Sequence, residues 1–303
     1  MKNYILLFLL LISFGKLFGQ NAQHQRPIVF KVGVSYLDNY VYNGRSDSLK
    51  TPYFIPSVTM VYDSSLTING NFYYLTQGVD AGLDFVELNA SYEFDIIKKL
   101  SAGIYGTKYF YNGSSNAVTG NINAILGANL DYDFNLFELN IGTYFLFTNN
   151  HTDINFRPGI DRTIVFGAKK EWKLLPSFYV NFSTLNFYEG FSTRTASRRT
   201  NNSGKVTNPN FGTTERITSV TDLRMKLLDY ELSLPLTYET NKWGILIEPT
   251  LAFPQNTIHT NTQTIRLLPT GTTQIVSNRD STPYSEKNLN SIFYTQFTVF
   301  LKF

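Results

Sequence analysis

Between Ile28 and Phe303, apolar and polar residues trade places at every second position, in block after block of about ten to fourteen residues. Successive side chains of a strand point to opposite faces, so each block becomes a strand with one greasy and one polar face. The plainest block is LNSIFYTQFTVFLKF, Leu289 to Phe303. There Phe293, Phe297, Val299 and Leu301 share a face, while Gln296, Thr298 and Lys302 share the other. The block stops on an aromatic, Phe303. Beyond the first residues of the chain there is no run of about eighteen apolar residues, the minimum for a membrane helix. If this chain crosses a bilayer it must do so as a closed barrel, in which every backbone group is paired.

The first residues read as an address. Met1-Lys2-Asn3 is a short positive region, Tyr4 to Phe14 an apolar core, and Gly15 and Gly19 lead to Gln20. This is the pattern of a cleaved secretory signal peptide, with cleavage expected after Gly19 and Ala22 as the alternative. The expected organisation is a signal peptide over 1–19, a short lead over 20–27 and one β-domain over 28–303. The chain has no cysteine, which fits an oxidising compartment. Its formal net charge of +3 gives no reason to expect nucleic acid. Only 16% of its residues are charged, against about 25% in ordinary globular domains, and another 16% are aromatic.

The connections carry as much information as the strands. Asp63–Ser65, Asp95–Lys99, Asn135, Lys173–Pro176 and Asn241–Lys242 read as short turns. Asn43–Pro52, Gly78–Gly82, Asn112–Val118, Asn149–Gly159, Gly190–Thr214 and Pro254–Asn288 read as long loops. The two kinds alternate, which places all short turns at one end and all long loops at the other. Ile217 to Thr240 can hold one long strand, with a β-bulge where the alternation slips at Leu227-Leu228. The Thr-rich halves around Pro269-Thr270-Gly271 can pair as a hairpin outside the bilayer. Aromatics next to the long loops (Tyr40, Tyr42, Tyr53, Tyr73, Tyr74, Tyr109, Tyr111, Phe147, Tyr188) and beside the short turns (Tyr62, Tyr92, Phe94, Tyr132, Phe134, Trp172, Tyr238, Trp243) suggest two interfacial girdles.

These features together resemble the bacterial (Gram-negative) outer-membrane β-barrel proteins of the small porin-like type. The resemblance implies an all-β, up-and-down antiparallel transmembrane β-barrel of about twelve strands. It implies residence in the cell outer membrane, contact with outer-membrane lipid and lipopolysaccharide, and assembly by the barrel-assembly machinery. Phe297, Val299, Leu301 and Phe303 would be the assembly signal that this machinery reads. The same architecture carries channels, lipid enzymes and adhesins, so the fold does not name the cargo.

Charged residues predicted on the polar faces are Lys31, Lys108, Lys169, Arg224 and Lys226, against Glu87, Glu93, Asp131, Glu138, Asp161, Glu171 and Glu231. They either line a water-filled passage and set its ion preference, or pair across a narrow lumen and fill it. Arg194, Arg198, Arg199 and Lys205 make a basic stretch in a long loop, suited to lipopolysaccharide phosphates or simply solvated. Of the three histidines, His151 has a nearby carboxylate in Asp153, but no serine stands at a convincing spacing, so no enzyme is expected. No metal-ligand spacing, phosphate-cradling glycine loop or cysteine cluster appears, so no cofactor is expected. The leading expectation is passive diffusion of small hydrophilic solutes. The alternatives are a closed barrel working through its loops as an adhesin or partner-binding surface, and a lipid-modifying enzyme.

Overall fold

The structure is a computed structural model. It describes residues 28–46, 50–77, 81–112, 115, 117, 119, 122–148, 151–186, 214–220, 224–257, 259–267, 273–281 and 289–303. The expected signal peptide and lead lie outside the described residues, as do Arg194, Arg198, Arg199 and Lys205.

The first strands are β1 (Ile28–Leu37), β2 (Tyr53–Tyr62), β3 (Leu66–Leu75), β4 (Gly82–Ile97), β5 (Leu100–Tyr111), β6 (Ile122–Asp133) and β7 (Glu138–Thr148). Then come β8 (Thr152–Asp161) with β9 (Ile164–Phe166), and β10 (Trp172–Leu174) with β11 (Ser177–Ser183). After β12 (Thr214–Val220) follow β13 (Lys226–Ser233), β14 (Leu236–Glu239) and β15 (Trp243–Pro254). The last are β16 (Thr260–Leu267), β17 (Thr273–Ser281) and β18 (Ile292–Lys302). Arg162-Thr163, Leu175-Pro176 and Leu234-Pro235 each break one long strand into two pieces, so β8/β9, β10/β11 and β13/β14 count once each. Every barrel strand pairs antiparallel with its neighbours, and β18 pairs with both β15 and β1. That pairing closes a ring of 12 strands.

The faces follow the alternation. In β1, Phe30, Val32 and Tyr36 are exposed outside, while Ser35 is buried inside and bonds Thr298 of β18 at 2.8 Å. Large apolar side chains cover the exterior all around the ring, from Ile28 to Leu301. In water such a surface would aggregate; against acyl chains it is at rest. Three inward rings lie flat over a glycine directly across the ladder: Tyr105 over Gly127, Tyr179 over Gly159, Phe300 over Gly244. A Cβ on Gly159 would sit 2.1 Å from the Tyr179 ring, so that strand pair needs the missing side chain. Gly159→Ala is expected to lower unfolding stability by about 1–3 kcal/mol, read by urea titration of vesicle-inserted protein.

Several expectations change. Asn149–Gly159 is not a loop. Thr152 onward is β8, with Asp153, Asn155, Arg157 and Asp161 inward and Ile154, Phe156 and Ile160 exposed outward. The proline at position 158 hid it: Pro158 lacks an N–H, and the β8–β11 ladder skips that level, pairing Tyr179 with Gly159 and then Phe182 with Phe156. The short turn consequently sits at Gly167–Glu171, and Lys173–Pro176 belongs to the β10/β11 wall. The seventh connection is only Asn149–His151, so long and short links do not alternate strictly.

Ile217–Thr240 is two strands, β12 and β13/β14. β12 joins the hairpin β16–β17, whose pairing was expected, in a separate three-stranded sheet. The bulge is found where the alternation slipped: Asn181 pairs with Asp229 and Phe182 with Leu227, leaving Leu228 extra and fully buried. Lys108 points outward, its ammonium 5.6 Å from the Phe110 ring. The girdle beside the short turns is real, with Phe166, Trp172, Tyr238 and Trp243 in successive ring contact at 6.1, 4.8 and 5.3 Å. Of the other girdle, Tyr74 and Phe147 are exposed outside, Tyr188 lies outside the described residues, and the remaining tyrosines are packed inside the barrel.

Candidate functional site

The lumen changes character along its length. At the long-connection end it is filled. Residues 38–46 of the first connection turn inward, and Tyr40 inserts among wall residues Tyr53, Tyr73 and Phe85, with ring centroids 5.7, 6.1 and 5.8 Å away. Tyr73 stacks on Phe85 at 4.1 Å, and Tyr109 and Tyr111 continue the cluster. Edge and offset contacts of this kind add to the apolar burial itself. The hydroxyl of Tyr40 bonds the Thr119 hydroxyl at 3.1 Å, and Tyr111 donates to the Thr119 carbonyl at 2.6 Å. A second connection therefore also reaches into the plug. Glu87, on the wall beneath it, accepts from Asn71 at 2.9 Å.

The tip of the first connection is a tight turn. Tyr42 and Arg45 exchange backbone bonds of 2.8 and 2.9 Å around Asn43 and Gly44, which hold φ of 48° and 69°. Two consecutive positive φ values define a primed turn, for which Asn-Gly is the favoured pair. Gly44 is required twice over, because a Cβ there would lie 2.6 Å from the Cβ of Asp229. Arg45 is 2% exposed and fastens the turn to the wall. Its guanidinium donates to the carbonyls of Leu228, Gln255 and Asn256, each at 2.8 Å. The bulged Leu228 and the two residues that follow β15 thus supply the acceptors.

Below the turn lies a cavity of about 520 Å³, roofed by Tyr42 and Asn43 and walled by tyrosines, asparagines and a few charges. Arg157 stands in its wall, stacked 3.8 Å over the Tyr179 ring and 3.5 Å from the Glu231 carboxylate. Asn129 donates to Asp131, and Tyr179 and Asn140 donate to Asp161 at 3.0 and 3.1 Å. The amide nitrogen of Asn43 is buried with no protein acceptor. Such a group wants water or a solute oxygen.

Toward the short turns the charges separate. Glu239 gathers three lysines, with Lys302 at 2.9 Å, Lys173 at 3.4 Å and Lys31 at 3.5 Å. Lys31 also lies 5.1 Å from the Phe300 ring. These cations come from β1, β10 and β18. Glu93, Asp131, Glu138 and Asp161 come from β4, β6, β7 and β8, on another arc of the ring.

Of the residues picked from sequence, Lys31, Glu93, Asp131, Glu138, Asp161 and Glu231 are therefore in these clusters, and Glu87 lies beneath the plug. Lys169 is in the exposed turn, its backbone N–H on Glu171. Arg224 is exposed just before β13, and Lys226 opens that strand. Phe297, Val299, Leu301 and Phe303 lie at the closing seam, where Val299 pairs with Val34 and Leu301 with Val32. Sequence reasoning missed Arg45, Arg157, Glu239 and Lys302. Period-two parity with the neighbours already marked Lys302 and Glu239; nothing local marked Arg45.

No family model and no curated protein matches the chain. Solved structures similar in overall form include an outer-membrane channel from Pseudomonas putida F1, at 10% identity and TM-score 0.33 over 94% of this chain and 98% of that one. A bacterial polysaccharide outer membrane secretin gives 9% and 0.36 over 93% and 100%, and a porin 9% and 0.30 over 92% and 100%. Values this low transfer no activity. The chain's own geometry is sufficient for the fold: a closed ring of paired strands, apolar outside and polar inside, is an outer-membrane-type β-barrel.

Proposed function

We propose that this barrel is a gated passage for small hydrophilic solutes across the outer membrane, shut by its own first connection. The observation that carries the reading is the polar cavity of about 520 Å³ inside the lumen, directly beneath a turn that one arginine fastens to the wall. A barrel needed only as a rigid support has no use for a chamber lined by Arg157, Asp131, Glu231 and several asparagines. Lys31, Lys302 and Lys173 on one arc and Glu93, Asp131, Glu138 and Asp161 on another would impose a field across the passage and sort solutes by charge. Exported and cleaved as the first residues suggest, the domain over 28–303 would be received by the barrel-assembly machinery through Phe297, Val299, Leu301 and Phe303. Arg194, Arg198, Arg199 and Lys205 would then face lipopolysaccharide.

The plug also favours a second reading, a shut barrel whose long connections bind a partner. Catalysis is not supported. Asp153, the only carboxylate near His151 in sequence, accepts from the backbone N–H and side-chain amide of Asn186 at 2.9 Å each, which ties it to the end of β11.

Single-channel recording of the refolded full-length chain in a planar bilayer tests the proposal. Rare, discrete steps are expected from the wild type, and the ion preference under a salt gradient should move toward cations when Lys31→Glu and Lys302→Glu are combined. Silence from both the wild type and a variant with the turn unfastened, each shown to be folded and inserted, would overturn it in favour of the second reading.

A further inference from the structure

On the outside of the wall, two rows of side chains cross neighbouring strands. The upper row is Ile160, Phe178, Leu232, Leu251 and Phe293, each the ladder partner of the next. The lower row begins at Arg162, whose N–H donates to Pro176 O at 3.2 Å, and continues to Leu234, whose N–H donates to Pro249 O at 3.1 Å. Two prolines in that row present short, flat side chains where the upper row presents large ones. Together with Pro235 they also remove three N–H donors from adjacent strands at nearly one level, which lets the wall bend. The result is a furrow of about 590 Å³ between the rows, overwhelmingly apolar.

Its path follows from barrel geometry. Strands tilt by about 35–45°, so a row running across them climbs along the barrel axis. From β8 to β18 the row crosses four spacings of about 4.8 Å, some 19 Å in all. At that tilt the climb is about 12 Å, close to the hydrocarbon depth of one leaflet, half of about 30 Å. The low end lies beside the β6–β7 turn, where Phe137 closes the furrow and Arg162 donates to the carbonyl of Asn135. A cation at the rim of a leaflet-deep apolar furrow matches a molecule with an anion at one end and a long hydrocarbon at the other.

We propose that the furrow is a binding site for one glycerophospholipid of the short-turn-side leaflet, one of its two acyl chains between the two rows and its phosphate on Arg162. Arginine suits the phosphate because its planar donors engage two oxygens at once. The chain fills space that flat prolines leave open, so its contacts exceed those of lipid sliding past the convex remainder of the wall.

The test is native mass spectrometry of the refolded full-length chain in detergent, titrated with dioleoyl phosphatidylglycerol. One lipid should be retained per barrel after the others are stripped. Leu234→Trp, which fills the furrow, should abolish retention, and Arg162→Gln should weaken it about tenfold. Ile68→Trp, on the exposed face of β3, should leave it unchanged. Pro249→Leu, which fills the lower row without a large ring, is read in place of Leu234→Trp if that variant fails to fold. Equal retention in the furrow-filled variant and Ile68→Trp would show ordinary annular lipid and overturn the proposal. So would dimers that Leu234→Trp dissolves, since a second copy of the chain would then own the furrow. Undiminished binding of dioleoylglycerol, which has no phosphate, would overturn the role of Arg162.

Discussion

Arg45→Ala is expected to convert a mostly silent barrel into a conducting one, raising the ratio of open to closed time about a hundredfold. The closed arrangement depends on a buried guanidinium donating to carbonyls of Leu228, Gln255 and Asn256, contributed by β13 and the residues just after β15. A hydrogen bond to a charged group contributes about 1.5–3 kcal/mol net. The three are not independent, and the freed carbonyls regain water once the turn leaves, so a combined loss of about 3 kcal/mol is a fair scale. At 1.4 kcal/mol per factor of ten this is about two decades. Gly44→Val reaches the same state by another route. It puts a β-branched residue at φ 69° and a Cβ against Asp229, so the turn cannot seat even with Arg45 intact. Agreement of the two variants in single-channel records would identify the turn as the gate. If both fold and insert but conduct no more than the wild type, the first connection is a permanent plug.

The wall of this barrel was legible in the sequence because period-two alternation is enforced at every position by two different solvents. Acyl chains select Phe30, Val32 and Tyr36 on one side of β1, and the polar lumen selects Lys31 and Ser35 on the other. Even the bulge at Leu228 could be read, since one inserted residue flips the parity of everything after it. The reading failed where a local signal outweighed the alternation. Pro158 and Gly159 look like loop residues, yet their neighbours Ile154, Phe156 and Ile160 keep the beat of a strand. Missing that strand also hid Arg157, the cation in the cavity wall.

The lumen's contents were less legible, for a physical reason. Tyrosine at a strand end is favoured both at a membrane interface and in an aromatic core, and only parity separates the two. Tyr73 and Tyr74 are adjacent and so cannot both face lipid; the first is packed inside and the second is exposed. Tyr40, Tyr42 and Arg45 lie in no strand, and no alternation governs them. That Arg45 folds inward depends on acceptors 183 to 211 residues away, a long-range fact that a single sequence does not display.

Phe85→Ala is expected to be the most damaging single truncation in the wall, costing about 3–5 kcal/mol. Phe85 is fully buried and touches Tyr40, Tyr53, Tyr73, Tyr109 and Tyr111, so it joins the infolded connection to β2, β3 and β5. Its removal leaves a hole that those rings, each pinned by its own packing, cannot close. The informative comparison is Phe110→Ala, on the adjacent strand but 52% exposed on the outer face. There the vacated space fills with acyl chain, so only the transfer term is lost, about 1.5–3 kcal/mol. Urea unfolding from lipid vesicles measures both. A larger loss for Phe85 means that the plug is a true packed core, and that the long-connection end is held by contacts inside the lumen as well as by the strand ladder. Equal losses would mean that the plug rings are loosely packed, and that the first connection is held by Arg45 alone. Phe85→Ala should then leave conductance untouched, whereas a packed plug predicts that the same variant leaks.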